Sequence, residues 1–527
     1  MGSSETGPTM RLPAAIRTHP DVCAVAVLLI VSIATRVRHL ARPFHGDEMI
    51  TFSNMVLSRD LGGIVFGPYD SNSHLLNSLI MKTVHLGFGE VPALMRLPNL
   101  IFVLLAVVLV YLASVTSIGR GPAFAAALLF SLHPAMVLFS VSSRGYAGMV
   151  LFTLISSVLF LQLPRSFSWW RWFGCLATGF LAGTAHLFAA NALIAQILLA
   201  LVMIAVPAKT GSETLAARAR RLGPVVLAPL SALTMLIALA LPQLRLSRTE
   251  SFNYPFQTDF PTALINFMGG TTYRTDLDGI SVALAAFALA GLFGLSINRT
   301  LKFFLGVLFL SPIALYGLSY FAPVFTLHPR FFVYLLPFYC LLLVVGMNSA
   351  AEAVRAKTND RGLSAIVARS AVWLFVIAVA VIFTVRIHVP SGGVFVHPQA
   401  LVGEFVKSRP EAHFLTNDPG FVRVRLRQEA NMDRILPALG IKPIRAYQAE
   451  RPTIEIFFIY VPKKRLTEAD LVHYQGEVAP EVLYQRDDRM KMYLTRNAAL
   501  ELDAGPRVQI YALGSRPSEG IEIGSVN

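Results

Sequence analysis

A chain of 527 residues that is 54% hydrophobic and 14% charged has more apolar surface than a water-soluble core could enclose. Composition therefore assigns it to the polytopic membrane proteins and excludes an ordinary soluble enzyme. The formal net charge of +14 raises the question of nucleic acid. Lys and Arg, however, sit mainly in short loops between apolar runs rather than on one aromatic-studded face, so no nucleic-acid partner is expected. Cys23, Cys175 and Cys340 all lie within apolar runs, where a thiol acts as a small hydrophobe; neither a disulfide framework nor a cysteine metal site is indicated.

In chain order, runs able to span a bilayer occupy 21–36, 94–118, 122–140, 145–163, 172–187, 188–206, 223–242, 280–297, 303–320, 330–347 and 370–387, about eleven helices. With 1–20 as a cytoplasmic tail, the inner loops carry Arg120, then Arg165 and Arg171, then Lys209, Arg218, Arg220 and Arg221, then Arg299 and Lys302, then Arg355, Lys357, Arg361 and Arg369. Positive charge thus falls inside at every turn. The same parity puts 37–93, 243–279, 321–329 and everything after 388 outside. Arg11 and Arg17 ahead of the first run resemble a secretory signal. Arg36 and Arg38 follow directly, and without that helix the charge alternation fails, so an uncleaved first span is expected.

The first outer loop, 37–93, opens on Phe44-His45-Gly46-Asp47-Glu48. Carboxylates at the watery mouth of a helical bundle stay ionised at little cost, whereas in hydrocarbon they would be expensive, so acid–base chemistry at an interface is the functional reading. The other reading is a solvated helix start, where acidic residues are favoured. Further along, His74-Leu75-Leu76-Asn77-Ser78-Leu79-Ile80-Met81 begins an apolar stretch read as interfacial helix, because a twelfth crossing would turn the basic loops outward. After Pro390, polar residues alternate with short apolar runs such as Ile454-Glu455-Ile456-Phe457-Phe458-Ile459-Tyr460, the pattern of a soluble α/β domain over 390–527.

Taken in order, Gly46-Asp47-Glu48, Asn72-Ser73-His74-Leu75-Leu76-Asn77, Arg96-Leu97-Pro98, Ser143-Arg144-Gly145-Tyr146, His186 and Pro329-Arg330-Phe331-Phe332-Val333-Tyr334-Leu335-Leu336-Pro337 resemble the C-type membrane glycosyltransferases. More narrowly, the chain is similar over 20–390 to the protein O-mannosyltransferase and aminoarabinose transferase superfamily, glycosyltransferase family 39-like. The resemblance implies a catalytic bundle over 21–389 that moves a sugar from a polyprenyl phosphate donor to an acceptor at the outer membrane face. It maps the catalytic base onto Asp47, with Glu48 as neighbour or orienter, and donor-phosphate binding onto His74. It implies no cofactor and no metal.

Arg144 and Arg330 stand at expected outer ends of spans, where guanidinium suits bidentate phosphate binding, or else snorkels to headgroups. His74 could equally cap its helix. Tyr146, Tyr273, Arg274, His328 and Tyr334 are candidate sugar or acceptor contacts, Tyr146 having a membrane-belt alternative. Asp276-Leu277-Asp278 could chelate a cation, but two carboxylates make a weak set. His186 and Asn191 read as structural. Envelope glycolipid, polysaccharide or protein are the acceptor classes, the bilayer itself is a partner, and the Ala-, Arg- and Val-rich composition suggests a bacterial inner membrane. The rival class is a lipid flippase or transporter, opposed by the lack of internal repeats and by charges gathered at one membrane face.

Overall fold

The computed structural model describes residues 19–41, 44, 47–68, 74–206, 214–246, 259–271, 276–294, 299–321, 327–357 and 363–388, together with six strands within 413–513. Two compact units divide the chain: one comprises Met1–Pro43 and Asn54–Val389, the other Phe44–Ser53 and Pro390–Asn527.

The first unit is a helical bundle of an integral membrane protein. Among the described residues, seven helices are long and apolar enough to cross a bilayer: Pro20–Leu40, Pro92–Ile118, Leu187–Ala205, Leu215–Gln243, Arg299–Ser319, Pro329–Ala356 and Ser370–Ile387. The run expected as one span over 122–140 is broken. Arg120–Leu132 and Pro134–Ser140 meet at 61°. Proline cannot donate an amide proton but suits the first turn of a helix, so Pro134 starts a new axis, and His133 Nδ1 accepts from the Ala135 amide at 3.3 Å to close its end. Tyr146–Gln162 and Gly279–Phe293 are shorter apolar helices.

Close helix approach depends on missing side chains. Gly279–Phe293 packs on Leu336–Lys357 so tightly that a Cβ on Gly291 would lie 2.0 Å from the Leu342 carbonyl oxygen, and one on Gly346 1.9 Å from that of Phe287. In lipid, where water drives no helix association, such small-residue contacts let backbones gain dispersion energy. Polar glue joins other helices. Arg36 is fully buried and donates to Ser140 Oγ at 2.8 Å, the Ser131 carbonyl at 2.6 Å, the Ser32 carbonyl at 3.0 Å and Thr35 Oγ1 at 2.9 Å, tying the first span to both arms of the bent pair.

Asp278 works structurally. It caps Gly279–Phe293 by accepting from the Ser281 amide at 3.1 Å and hydroxyl at 2.6 Å, and pairs with Arg386 at 2.6 Å. Burial alone would raise its pKa, but the Ser281 and Arg386 interactions outweigh burial and hold it below the usual carboxylate value. A depressed carboxylate pKa contributes stability above about pH 4, lost as pH falls through the folded-state value. Arg386→Met should therefore destabilise the bundle by about 3 kcal/mol at neutral pH, because it strands a buried carboxylate, and the deficit should shrink in acid. Thermal melts in detergent at both pH values check this; equal deficits at both would remove the ion pair from the account.

In the second unit, strands β1 (His413–Thr416), β2 (Ile435–Pro437), β3 (Ile456–Tyr460), β4 (Pro480–Arg486), β5 (Met490–Thr495) and β6 (Gln509–Leu513) form one mixed sheet in the order β2-β1-β3-β6-β5-β4. β1 runs parallel to β2 and β3, with Phe414 opposite both Ile435 and Phe457. β3 and β6 are antiparallel, Phe458 facing Tyr511, and β4–β5 is an antiparallel pair with an irregularity between Val482 and Tyr484.

Candidate functional site

Asp47 and Glu48 belong to the second unit, whereas His74, Arg144, Tyr146, His328, Arg330 and Tyr334 belong to the first. Tyr273 and Arg274 lie outside the described residues.

Asp47 and Glu48 form the first turn of a short helix, Asp47–Thr51, that runs into a π-helical turn, Phe52–Leu57. Two acids at a helix start meet the partial positive charge of exposed backbone amides. Successive helical positions point about 100° apart, so the two carboxylates do not share a face. Accordingly, Asp47 is partly exposed while Glu48 is 1% exposed. Thr51 Oγ1 donates to the Asp47 carbonyl at 3.0 Å, and the Phe44 and Phe52 rings pack at 5.0 Å on either side of the turn in sequence. π-Helical turns are uncommon and cluster at functional sites.

His74 stands at the N-cap position of Leu75–Phe88, yet its side chain makes no capping bond. Instead Nδ1 lies 3.1 Å from the Ala185 carbonyl at the end of Trp169–Ala185. A carbonyl only accepts, so Nδ1 carries the proton and the neutral ring presents Nε2 as a bare acceptor. Nε2 is buried, and no described residue donates to it.

Three rings meet there. His74 lies 5.2 Å from Tyr146 and 4.9 Å from His186, and Tyr146 lies 5.1 Å from His186. His186 continues the cluster to Phe331 at 5.2 Å, and Phe331 meets the edge of His328 at 5.3 Å. Arg144 sits 5.6 Å from the Tyr146 ring centre and Arg330 5.9 Å from that of Phe331, distances at which guanidinium is attracted to an aromatic face. Arg144 is 4% exposed and Tyr146 1%, which argues against headgroup snorkelling for the first and a membrane-belt role for the second. Arg330 keeps partial exposure. Tyr334 is buried in the bundle core with its hydroxyl 3.3 Å from Ser311 Oγ.

Asn77 and Asn99 hold the turn carrying Arg144. Asn77 Nδ2 donates to the Ser143 carbonyl at 2.7 Å, and Asn99 Nδ2 donates to the carbonyls of Ser142 and Arg144, the latter at 3.0 Å. Gly145 lets that turn touch Trp169–Ala185: a Cβ there would fall 1.9 Å from the Ala185 oxygen and 3.0 Å from His74 Nδ1. Sequence reading left His186 as structural and did not single out Asn99. The signal for His186 is the short gap between two apolar runs, which in the fold becomes the corner facing His74.

Burial drives the pKa of His74 well below its ordinary value, and the nearby Arg144, His186 and Arg330 reinforce this against the Ala185 hydrogen bond. Burial likewise lowers His186 to about 3, with Arg144 and Arg330 contributing. Both imidazoles are therefore neutral, and the cluster's positive charge rests on two guanidinium groups.

The bundle has the C-type membrane glycosyltransferase fold. It is similar to ArnT from Cupriavidus metallidurans in the apo state, with a TM-score of 0.52 at 12% identity, covering 94% of this chain and 98% of that one. The same protein bound to undecaprenyl phosphate gives 0.51 at 11% identity with the same coverage. The oligosaccharyltransferase AglB from Archaeoglobus fulgidus, in complex with an inhibitory peptide and a dolichol-phosphate, aligns at 0.47 and 12% identity, covering 84% and 69%. No protein-family model and no curated protein matches the chain.

Proposed function

We propose that this protein transfers a sugar from a polyprenyl phosphate donor to an acceptor at the outer face of a bacterial inner membrane. The observation that carries the reading is the convergence of Arg144 and Arg330 on one ring cluster with His74 and His186, within a fold shared with an ArnT structure bound to undecaprenyl phosphate. A largely buried site with two guanidinium groups and neutral imidazoles suits a phosphate, which the guanidinium groups can bind bidentately with charge-assisted hydrogen bonds.

In this mechanism Asp47 removes the proton of an acceptor hydroxyl or amine, and the freed electron pair attacks the anomeric carbon. The bond from that carbon to the phosphate oxygen breaks, polyprenyl phosphate leaves, and the configuration inverts. Phosphate already carries charge well, so stabilising it electrostatically matters more than acid catalysis of its departure. The partial exposure of Asp47 beside buried Glu48 supports Asp47 as the base and Glu48 as orienter. Tyr146, Tyr273, Arg274, His328 and Tyr334 are the proposed contacts to sugar or acceptor. Counting the bent pair once and adding Tyr146–Gln162, Trp169–Ala185 and Gly279–Phe293 gives eleven crossings. Residues 37–93 contribute interfacial helices between the first two crossings, and 390–527 form an α/β domain outside. Envelope glycolipid, polysaccharide or protein is the acceptor class, and hexose or pentose the sugar class.

The test is reconstitution with a panel of polyprenyl phosphate sugars, reading release of polyprenyl phosphate with and without envelope extract. Release dependent on extract supports the transferase. No release from any donor, together with scrambling of labelled lipid between leaflets, would favour the flippase instead. In the same assay Arg330→Ala should slow release more than Arg330→Lys, by about tenfold or more, because one loses the charge and the other only its bidentate geometry. Unchanged turnover in both variants would take Arg330 out of the phosphate site.

A further inference from the structure

Beyond the binding of a lipid phosphate, on which this step rests, the hydrogen bonding of the two imidazoles separates their roles. His186 accepts from the Phe188 amide through Nδ1 at 3.3 Å, so its proton is on Nε2 and its ring can only donate to a bound anion. Adding a proton to Nδ1 would break that capping bond. His74 is the reverse: Nδ1 is committed to Ala185, and Nε2 is a buried acceptor with no described donor. A bare acceptor repels a fully ionised phosphate oxygen unless it first takes a proton.

We propose that His74 is the proton-accepting ligand of the leaving phosphate, its Nε2 binding one proton when a phosphate monoester occupies the site and none when a phosphodiester does. Charge conservation in a buried site gives the reason. The diester donor carries one negative charge and meets neutral His74. The monoester product carries two above its second ionisation, near pH 6, and meets imidazolium, so the summed charge of ligand and imidazole is the same in both states. The bond formed is N–H, the bond broken is that of the buffer acid in the surrounding solvent, which supplies the proton, and Nε2–H then donates to a phosphate oxygen. The groups acting on His74 from the packed elements are Arg144, His186 and Arg330, with the Tyr146 ring beside them. Burial is the main reason the imidazole is neutral and repulsion from the guanidinium groups reinforces it; an anion bound at those groups cancels the repulsion and adds an attraction for the imidazolium. The site thereby distinguishes product from donor by a proton, and loses its grip on the product as pH rises.

The probes are farnesyl phosphate and its monomethyl ester, titrated calorimetrically into the full-length protein in detergent, in two buffers of different protonation enthalpy. Near pH 8 the parent should take up about one proton per farnesyl phosphate and none per methyl ester, and its Kd for the monoester should rise about tenfold per pH unit above that. His74→Asn keeps an amide donor for Ala185 and removes the Nε2 acceptor; it should bind the monoester with proton uptake close to zero. Uptake persisting in His74→Asn, or absent in a parent that binds both probes, would overturn the proton-accepting role alone. A parent that binds neither probe would overturn the lipid-phosphate reading with it. If the variant does not fold, the comparison of the two esters on the parent still decides.

Discussion

Asp47→Asn should slow release of polyprenyl phosphate by about 100-fold or more, while leaving donor binding intact, since a positioned general base typically contributes that much and asparagine keeps the shape without the basicity. Glu48→Gln should cost clearly less. The two positions lie on different faces of the turn Asp47–Thr51, and only Asp47 retains exposure toward water, where an acceptor would arrive. The assay is turnover of reconstituted protein with a donor identified from the panel, alongside farnesyl phosphate affinity to separate binding from chemistry. If Glu48→Gln abolished turnover and Asp47→Asn kept it within a few fold, the roles would be exchanged. If neither mattered, the base would be elsewhere and the pair would be only a helix start.

The second large effect is structural. Gly145→Ala should lower the melting temperature by several degrees and weaken lipid-phosphate binding at least tenfold, since overpacking of this kind costs about 1–3 kcal/mol. The added methyl would overlap the Ala185 oxygen at 1.9 Å, and relieving that overlap must move the Ser142–Gly145 turn or the end of Trp169–Ala185. Moving the turn displaces Arg144, and moving the helix end disturbs the Ala185 bond that fixes the His74 tautomer. Gly87→Ala is the control: a Cβ there meets nothing within 4 Å, and alanine is the better helix former, so it should be neutral or mildly stabilising. A melting point for Gly145→Ala equal to that of the parent would mean that the turn can yield without strain, and His74 would lose its stated anchor.

Much of this architecture follows from composition and periodicity. Apolar runs separated by basic loops define a bundle because hydrocarbon admits only backbone whose hydrogen bonds are satisfied internally. The described helices overlie the expected spans, and the acidic pair lies in the short segment after the first of them. Local pattern could not show the 61° break at His133–Pro134, since a proline near mid-run is compatible with a kink, a break or a continuous helix.

The site divides in the same way. Asp47, His74, Arg144 and Arg330 stand out as candidates in the sequence alone, because ionisable groups beside apolar runs are costly unless used. Their states were not. His74 reads in the sequence as a cation or a helix cap, and the fold makes it a neutral acceptor because the Ala185 carbonyl, 111 residues away, accepts a hydrogen bond from its Nδ1. His186 looked structural, and the fold brings its ring 4.9 Å from His74. The sequence by itself determined a membrane bundle with acids and cations beside its apolar runs, since hydropathy and charge are local properties. Which imidazole donates, which accepts, and which carboxylate keeps contact with water were decided only by tertiary structure, because each depends on burial and on partners distant in the chain.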